Sequence, residues 1–266
     1  MYQLTVAKYT RLTFEVIKSN ILSAMEYRVS FLVQVFGMLI NDSFLVLIWY
    51  FFFQTFPKIK GWTLEDTFLL FVINTINFAL VMIFAGGART IASTISKGQL
   101  DYFLGFPKNV LWHLSVSKTD ISAIGDLLCG IAIYLIFVPV TLEKTLWIAI
   151  LSVLSGFIMY SFIVLTQSLA FFVGDFENGA EQFFQSMLTF TLYPQSIFNG
   201  ALKVIMLTVL PAFFIAAVPV SLVQNFSLPL FLLMVSVGLV IFTLAVTVFK
   251  YGLKKYESGN LINLNM

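Results

Sequence analysis

Asn41 and Asp42 stand side by side inside 31–53, a run that is otherwise almost wholly apolar. An ionised Asp at the centre of a bilayer costs roughly 2.5–3.5 kcal/mol on insertion scales, so such a residue must face protein or water. Gln34 precedes Asn41 by two helical turns and shares its face, and Asn74 and Asn77, three residues apart, share a face of the next apolar run. These five side chains either line a path for cargo between helices or hydrogen-bond neighbouring helices together, at about 0.6 kcal/mol per contact. Asp126, close behind Asp120, reads as the wetted start of a third run. Other chemistry is scarce. The single His, His113, and the single Cys, Cys129, allow no His-based metal cluster, no His-dependent triad and no intrachain disulfide. Both are expected to be structural. No Gly-x-x-x-x-Gly-Lys-Ser/Thr phosphate loop occurs, so the chain is not expected to hydrolyse ATP or to hold a cofactor of its own. Scattered carboxylates give neither the nucleophile–base cluster of an intramembrane enzyme nor the acid–His relay of a proton-driven pump.

The elements that must hold these groups follow from composition. Of 266 residues 59% are hydrophobic and 11% charged, with thirty Phe, against roughly 45–50% apolar and about 25% charged in soluble domains. This is the composition of an all-α integral membrane protein. A net charge of +2 gives no field to collect nucleic acid. The first thirty residues carry Lys8, Arg11, Glu15, Lys18, Glu26 and Arg28, and so lack the apolar core of a secretory signal.

An apolar helix of about 20 residues crosses the hydrocarbon core, and 31–53, 67–88, 121–140, 146–173 and 228–249 meet that length. The stretch from 183 to 220 is apolar but punctuated by Pro194, Gly200, Pro211 and Pro219. Charge bias sets the count. With six spans and a cytoplasmic N-terminus, Lys8, Arg11, Lys18, Arg28, Arg89, Lys97, Lys108, Lys118, Lys250, Lys254 and Lys255 lie inside, against Lys58, Lys60, Lys144 and Lys203 outside. Basic flanks favour the cytoplasm, and seven spans would place the C-terminal lysines outside. The expected fold is therefore six transmembrane helices, the fifth over 178–199, followed by a Pro-broken re-entrant hairpin over 201–220. Proline removes an N–H and clashes with the preceding turn, so Pro211 and Pro219 disrupt a continuous helix, as Pro194 does before them. The alternative is a kinked fifth span over 201–220, with 183–193 in the interface.

Residues 1–30 form a separate unit. Thr10, Phe14, Ile17, Ile21 and Met25 recur at helical spacing beside a charged face, as in an amphipathic helix lying in the cytoplasmic headgroup plane or docked on another chain. The transmembrane domain occupies 31–249 and a cytoplasmic tail 250–266. Small residues on the fourth run (Ser152, Ser155, Gly156) permit close helix packing.

The longest cytoplasmic loop, 89–119, contains Gly98, Asp101, Tyr102, Leu104 and Pro107 in close order. Gly98 can end the preceding helix in left-handed geometry, Asp101 can cap a short new one, and Pro107 stops it. An aromatic element of this kind either docks a cytosolic partner or rests on lipid headgroups.

The pattern Gly98-x-x-Asp101-x-x-Leu104-x-x-Pro107, with Ser122-x-x-Gly125-Asp126, Tyr193-Pro194-x-x-Ile197-Phe198 and the closing Gly252-Leu253-Lys254-Lys255-Tyr256, resembles the permease subunits of type-2 ATP-binding-cassette exporters. The similarity is to the six-span prokaryotic subgroup that works with a separate ATPase, and it covers nearly the whole chain. It implies an inner (plasma) membrane location and a pathway formed by two permeases, identical or different, from the first, second and fifth spans. It further implies a partner ATPase carrying ATP and Mg²⁺, seated against 98–107, and extracellular re-entrant helices after Tyr193-Pro194. The apolar 201–220 segment and the lack of a large cytoplasmic sugar-recognition domain set the chain apart from glycan exporters, leaving drugs, peptides or lipid-like molecules as cargo. A stand-alone secondary transporter or channel is the alternative; it calls for repeat symmetry between halves, and no internal repeat is evident.

Overall fold

The computed structural model describes residues 6–256, whose regular structure is helical, with turns and loops between the helices and one isolated bridge between Ile59 and Trp62. The tail beyond Tyr256 and the first five residues, both included in the sequence-based domain division, lie outside the described residues.

Helix α1 (Val6–Glu26) leads through Tyr27 into α2 (Arg28–Thr55). Lys60 and Gly61, both with positive φ, turn the chain into α3 (Leu64–Ala85). A capping box starts α3: the Thr63 backbone N–H donates to Asp66 Oδ2 at 2.8 Å, and the Asp66 N–H donates to Thr63 Oγ1 at 3.4 Å. A 3-10 stretch, Gly86–Thr90, joins α3 to α4 (Ile91–Ser96), and two short helices follow, α5 (Leu100–Leu104) and α6 (Val110–Val116). The chain then runs through α7 (Ala123–Phe137), α8 (Leu142–Gln167), α9 (Ala170–Val173) and α10 (Glu177–Thr191). Beyond Pro194 come three pieces, α11 (Gly200–Thr208), α12 (Ala212–Ile215) and α13 (Ala217–Gln224), and finally α14 (Leu228–Lys255).

Among the described residues four segments are long and apolar enough to cross a membrane: Arg28–Thr55, Leu64–Ser96, Leu142–Val173 and Leu228–Lys255. The expected third and fifth spans are shorter. Helix α7 has 15 residues because Pro139 follows it, and α10 has 15 because Tyr193-Pro194 ends it. At 1.5 Å per residue each is about 22 Å long, less than the hydrocarbon core.

Helices α3 and α8 form the centre, with 72% and 61% of their most apolar windows buried, while α2 and α14 are peripheral at 17% each. Helix α7 packs against both α3 and α2. Gly125 makes the second contact possible: a Cβ there would strike the Val35 carbonyl and crowd Met38 Cβ at 3.0 Å. The α12–α13 pieces are buried against α3, α8 and α10, whereas α11 exposes all but Met206. Pro211 stands at the start of α12, and Pro219 lies in the first turn of α13, where its missing N–H costs least.

Candidate functional site

Two regions gather the polar residues. The first is a cavity of about 240 Å³ bounded by α2, α3, α7 and α10. Asn41, Gln185 and Thr189 line it and are exposed, so they form its mouth; Asp42, Asn74, Thr75 and Asp126 line it and are buried, so they form its floor. Phe71, Phe78, Leu188 and Leu192 supply apolar wall. Asp42 lies near the middle of α2, and its carboxyl faces that of Asp126 within hydrogen-bonding reach, with the Cys129 thiol alongside. Thr75 satisfies itself by donating to the Phe71 carbonyl at 2.8 Å. By contrast Asp42 Oδ2, Asp126 Oδ2 and Asn74 Oδ1 are buried and receive no hydrogen bond among the described residues.

Of the five polar span residues singled out from sequence, Asn41, Asp42 and Asn74 meet at this cavity and two do not. Gln34 is exposed, donates to Ser30 Oγ at 3.1 Å and borders a different cavity nearer the start of α2. Asn77 turns away from Asn74, because three residues rotate a helix by about 300° and leave the two side chains roughly 60° apart. Its Nδ2 donates to the Ile73 carbonyl at 2.7 Å and to the Ile215 carbonyl at 3.3 Å, tying α3 to α12.

Asp126 is the residue that sequence reasoning misplaced. An acid one turn into a helix reads as solvated, yet this one is only 3% exposed. The signal lay beside it in Gly125, which brings α7 against the α2 backbone and so turns the following carboxyl towards Asp42.

The second region lies at the C-terminal end of α3. Arg89 reaches Glu181 on α10 through Nη2–Oε1 at 2.7 Å and Nε–Oε2 at 3.3 Å, and its guanidinium also sits 4.5 Å from the Phe184 ring. Glu181 accepts a further bond from Gln185 at 2.7 Å, which carries the network to the mouth of the cavity. Lys97 pairs with Glu177 at 3.3 Å, and Gln167 accepts the Ala92 N–H at 2.9 Å, fixing α4 to α10 and α8. A larger space of about 550 Å³, lined by Gln34, Arg89, Asp120 and Glu181, opens here.

The 98–107 segment hangs from α4. Gly98 has φ +67°, the Gln99 N–H bonds the Thr94 carbonyl at 2.9 Å and the Gly98 N–H bonds that of Ile95 at 3.0 Å. That pair of bonds is a Schellman C-cap. The expected capping role of Asp101 is not found: Gln99 holds the N-cap position of α5, and Asp101 lies inside the first turn. Leu100 is fully buried and anchors α5, while Tyr102 (65% exposed), Leu104, Phe106 and Pro107 face outward. His113 on α6 packs its ring 5.0 Å from Phe103 and 5.1 Å from Phe106. Burial and the Lys108 charge hold its pKa below the ordinary 6.5. Asn109 caps α6 by accepting the Trp112 N–H at 3.0 Å, and α1 braces the unit through Tyr9, whose hydroxyl accepts the Asn109 N–H at 3.2 Å. Asn20 adds a bond to Thr119 at 3.2 Å.

Among the breaks near α11–α13, buried Pro194 ends the α10 region. The chain from Asn199 descends to Ile215, beside Asn77, and returns to Gln224, whose amide bonds the Asp66 carboxylate at the start of α3.

No curated protein and no solved structure matches this chain. A family model described as ABC-2 family transporter protein matches residues 39–259. That match takes in most of the chain, including both polar regions, and the chain accordingly belongs to the ABC-2 transporter family as a transmembrane permease.

Proposed function

We propose that the chain is the permease of an ATP-driven exporter of the prokaryotic plasma membrane, working as a homodimer or as a heterodimer with a second permease, and driven by a separate ATPase docked on 98–107. The observation that carries this reading is the built but uncovered surface of α5. Leu100 is fully buried while its neighbours Tyr102, Leu104 and Phe106 are exposed, on a unit braced by α1, α4 and α6. Apolar side chains held rigidly in water fit a partner cleft. ATP and Mg²⁺ belong to that partner, since the sequence offers no phosphate loop to hold them here.

Six crossings, with α7 and α10 as the short ones and both termini cytoplasmic, fit the basic residues clustered at one end of the bundle. An interfacial α1 fits its exposed Phe14, Leu22 and Met25. A re-entrant α11–α13 is supported by the Asn77–Ile215 bond at mid-helix depth and by the return to Asp66. A pairing face is supported by Phe36, Ile40, Phe44, Leu47 and Phe51, which repeat along one exposed side of α2. Closure of the ATPase pair around bound nucleotide would draw the two 98–107 elements together. The Arg89–Glu181–Gln185 network would pass that movement to α10 and the cavity mouth, shifting the population between inward- and outward-facing states.

The test is co-purification from membranes with the ATP-binding subunit. Asp101→Arg and Leu104→Arg should lose that subunit while the permease remains inserted. Undiminished recovery in both variants would overturn the coupling role.

A further inference from the structure

We propose that the cavity floor is a binding site for a protonated amine with an apolar body, which names the cargo class of this permease and rests on reading α2, α3 and α10 as its pathway. Three acceptors converge from three helices: Asp42 Oδ2 from α2, Asn74 Oδ1 from α3 and Asp126 Oδ2 from α7. Each is buried, with Asn74 only 6% and Asp126 3% exposed, and these three oxygens receive no hydrogen bond among the described residues, although the Asp42 carboxyl also lies near Asn41 and Cys129. Buried polar groups are normally satisfied, and three vacancies of one kind in one place specify their complement. That complement is a group rich in N–H donors and without acceptors. Two carboxyls within reach of each other share a proton, and the pair keeps one negative charge that a cation can answer. An ammonium supplies both properties.

The remaining walls specify the rest of the ligand. Phe71, Phe78, Leu188 and Leu192 supply apolar wall beside the acceptors, and the cavity of about 240 Å³ has room for more than an inorganic ion. Exposed Asn41, Gln185 and Thr189 at the mouth leave an entry between α2 and α10. Gln185 is also the residue that Glu181 holds, so the Arg89 network ends at this entry. An amine with an aromatic or short aliphatic body would seat its nitrogen among Asp42, Asn74 and Asp126 and its carbon skeleton against the phenyl rings. No bond is made or broken.

The experiment uses the full chain in lipid nanodiscs and isothermal titration calorimetry at neutral pH. The probes are 2-phenylethylammonium chloride, its uncharged counterpart 2-phenylethanol, and sodium chloride. Saturable binding of the amine and none of the alcohol is expected. Loss of charge in Asp42→Asn/Asp126→Asn, or of the amide acceptor in Asn74→Leu, should weaken the amine by about tenfold or more. Equal binding of amine and alcohol would overturn the proposal without any variant having to fold. So would amine binding unaffected by both variants, or a saturable response to sodium alone. Retention of the ATP-binding subunit is measured on the same preparation. A silent amine with the subunit retained refutes the site and leaves the permease reading intact; a bound amine with no subunit retained refutes coupling and leaves the site.

Discussion

The cavity floor and the segment around Arg89 are both polar, yet they are built in opposite ways. Around Arg89 every charge named has a partner: Glu181 answers Arg89 in two bonds, Glu177 answers Lys97, and Gln185 completes Glu181. At the floor, Asp42 Oδ2, Asn74 Oδ1 and Asp126 Oδ2 receive no hydrogen bond among the described residues. Paired groups at a partly exposed position fix geometry at little energetic gain, because solvent competes for both partners. Unpaired groups in a buried position cost stability, and a fold retains them for what they bind. The contrast separates a frame that transmits movement from a chamber that receives a ligand, with Gln185 standing at the boundary.

That contrast can be broken at several points. The largest effect belongs to the frame's outer surface, where Leu104→Arg should reduce recovery of the ATP-binding subunit by about tenfold or more, read by quantitative pull-down. Next is the packing that builds the chamber. Gly125→Ala places a methyl against the Val35 carbonyl, and overpacking against backbone should destabilise by about 1–3 kcal/mol, visible as a lower Tm in detergent. Asp126→Leu removes a buried carboxyl whose Oδ2 has no donor among the described residues and should raise stability by about 1–3 kcal/mol while abolishing amine binding. A lower Tm for this variant would mean that Asp126 is a structural group after all. Glu181→Gln leaves Arg89 without its counter-charge, but both side chains are about one-third exposed, so the loss should be about 0–1 kcal/mol.

The smallest effect is at His113. Its pKa lies below the ordinary value, so folding favours the neutral ring, and the stabilisation present above about pH 6.5 is lost as pH falls through that value towards the folded pKa. Since the chain has a single His, one isotope-labelled imidazole resonance reports the titration directly. A midpoint above 6.5 would contradict the packing of α5 on α6.

Much of this organisation could be read from residue order. Long apolar runs marked four membrane-length helices, and Gly98 marked the end of α4, because chain length and left-handed backbone are local properties. The cavity was legible only in part. Asn41 and Asp42 announced themselves as polar residues in an apolar run, but partners across helices depend on crossing geometry, which spacing along one helix does not contain. Hence Asn74 and Asn77, three residues apart, serve different neighbours, and Gln34, two turns from Asn41, borders another space. Asp126 escaped because an acid near a helix start has the same local signature whether it meets water or a second carboxyl. Asp101 was assigned the N-cap position that Gln99 holds, without a side-chain capping bond, a shift of two residues that no pattern of residue types distinguishes.

The central claim is that an ATP-driven partner seats on α5, and site-specific crosslinking tests it most directly. The only native thiol, Cys129, is buried, so Tyr102→Cys introduces a single accessible one. In native membranes a short thiol-to-amine crosslinker should join that position to the ATP-binding subunit, with yield changing when ATP is added. Val140→Cys, exposed at the opposite end of the bundle, should give no such product. A product at Val140 with none at Tyr102 would contradict the account.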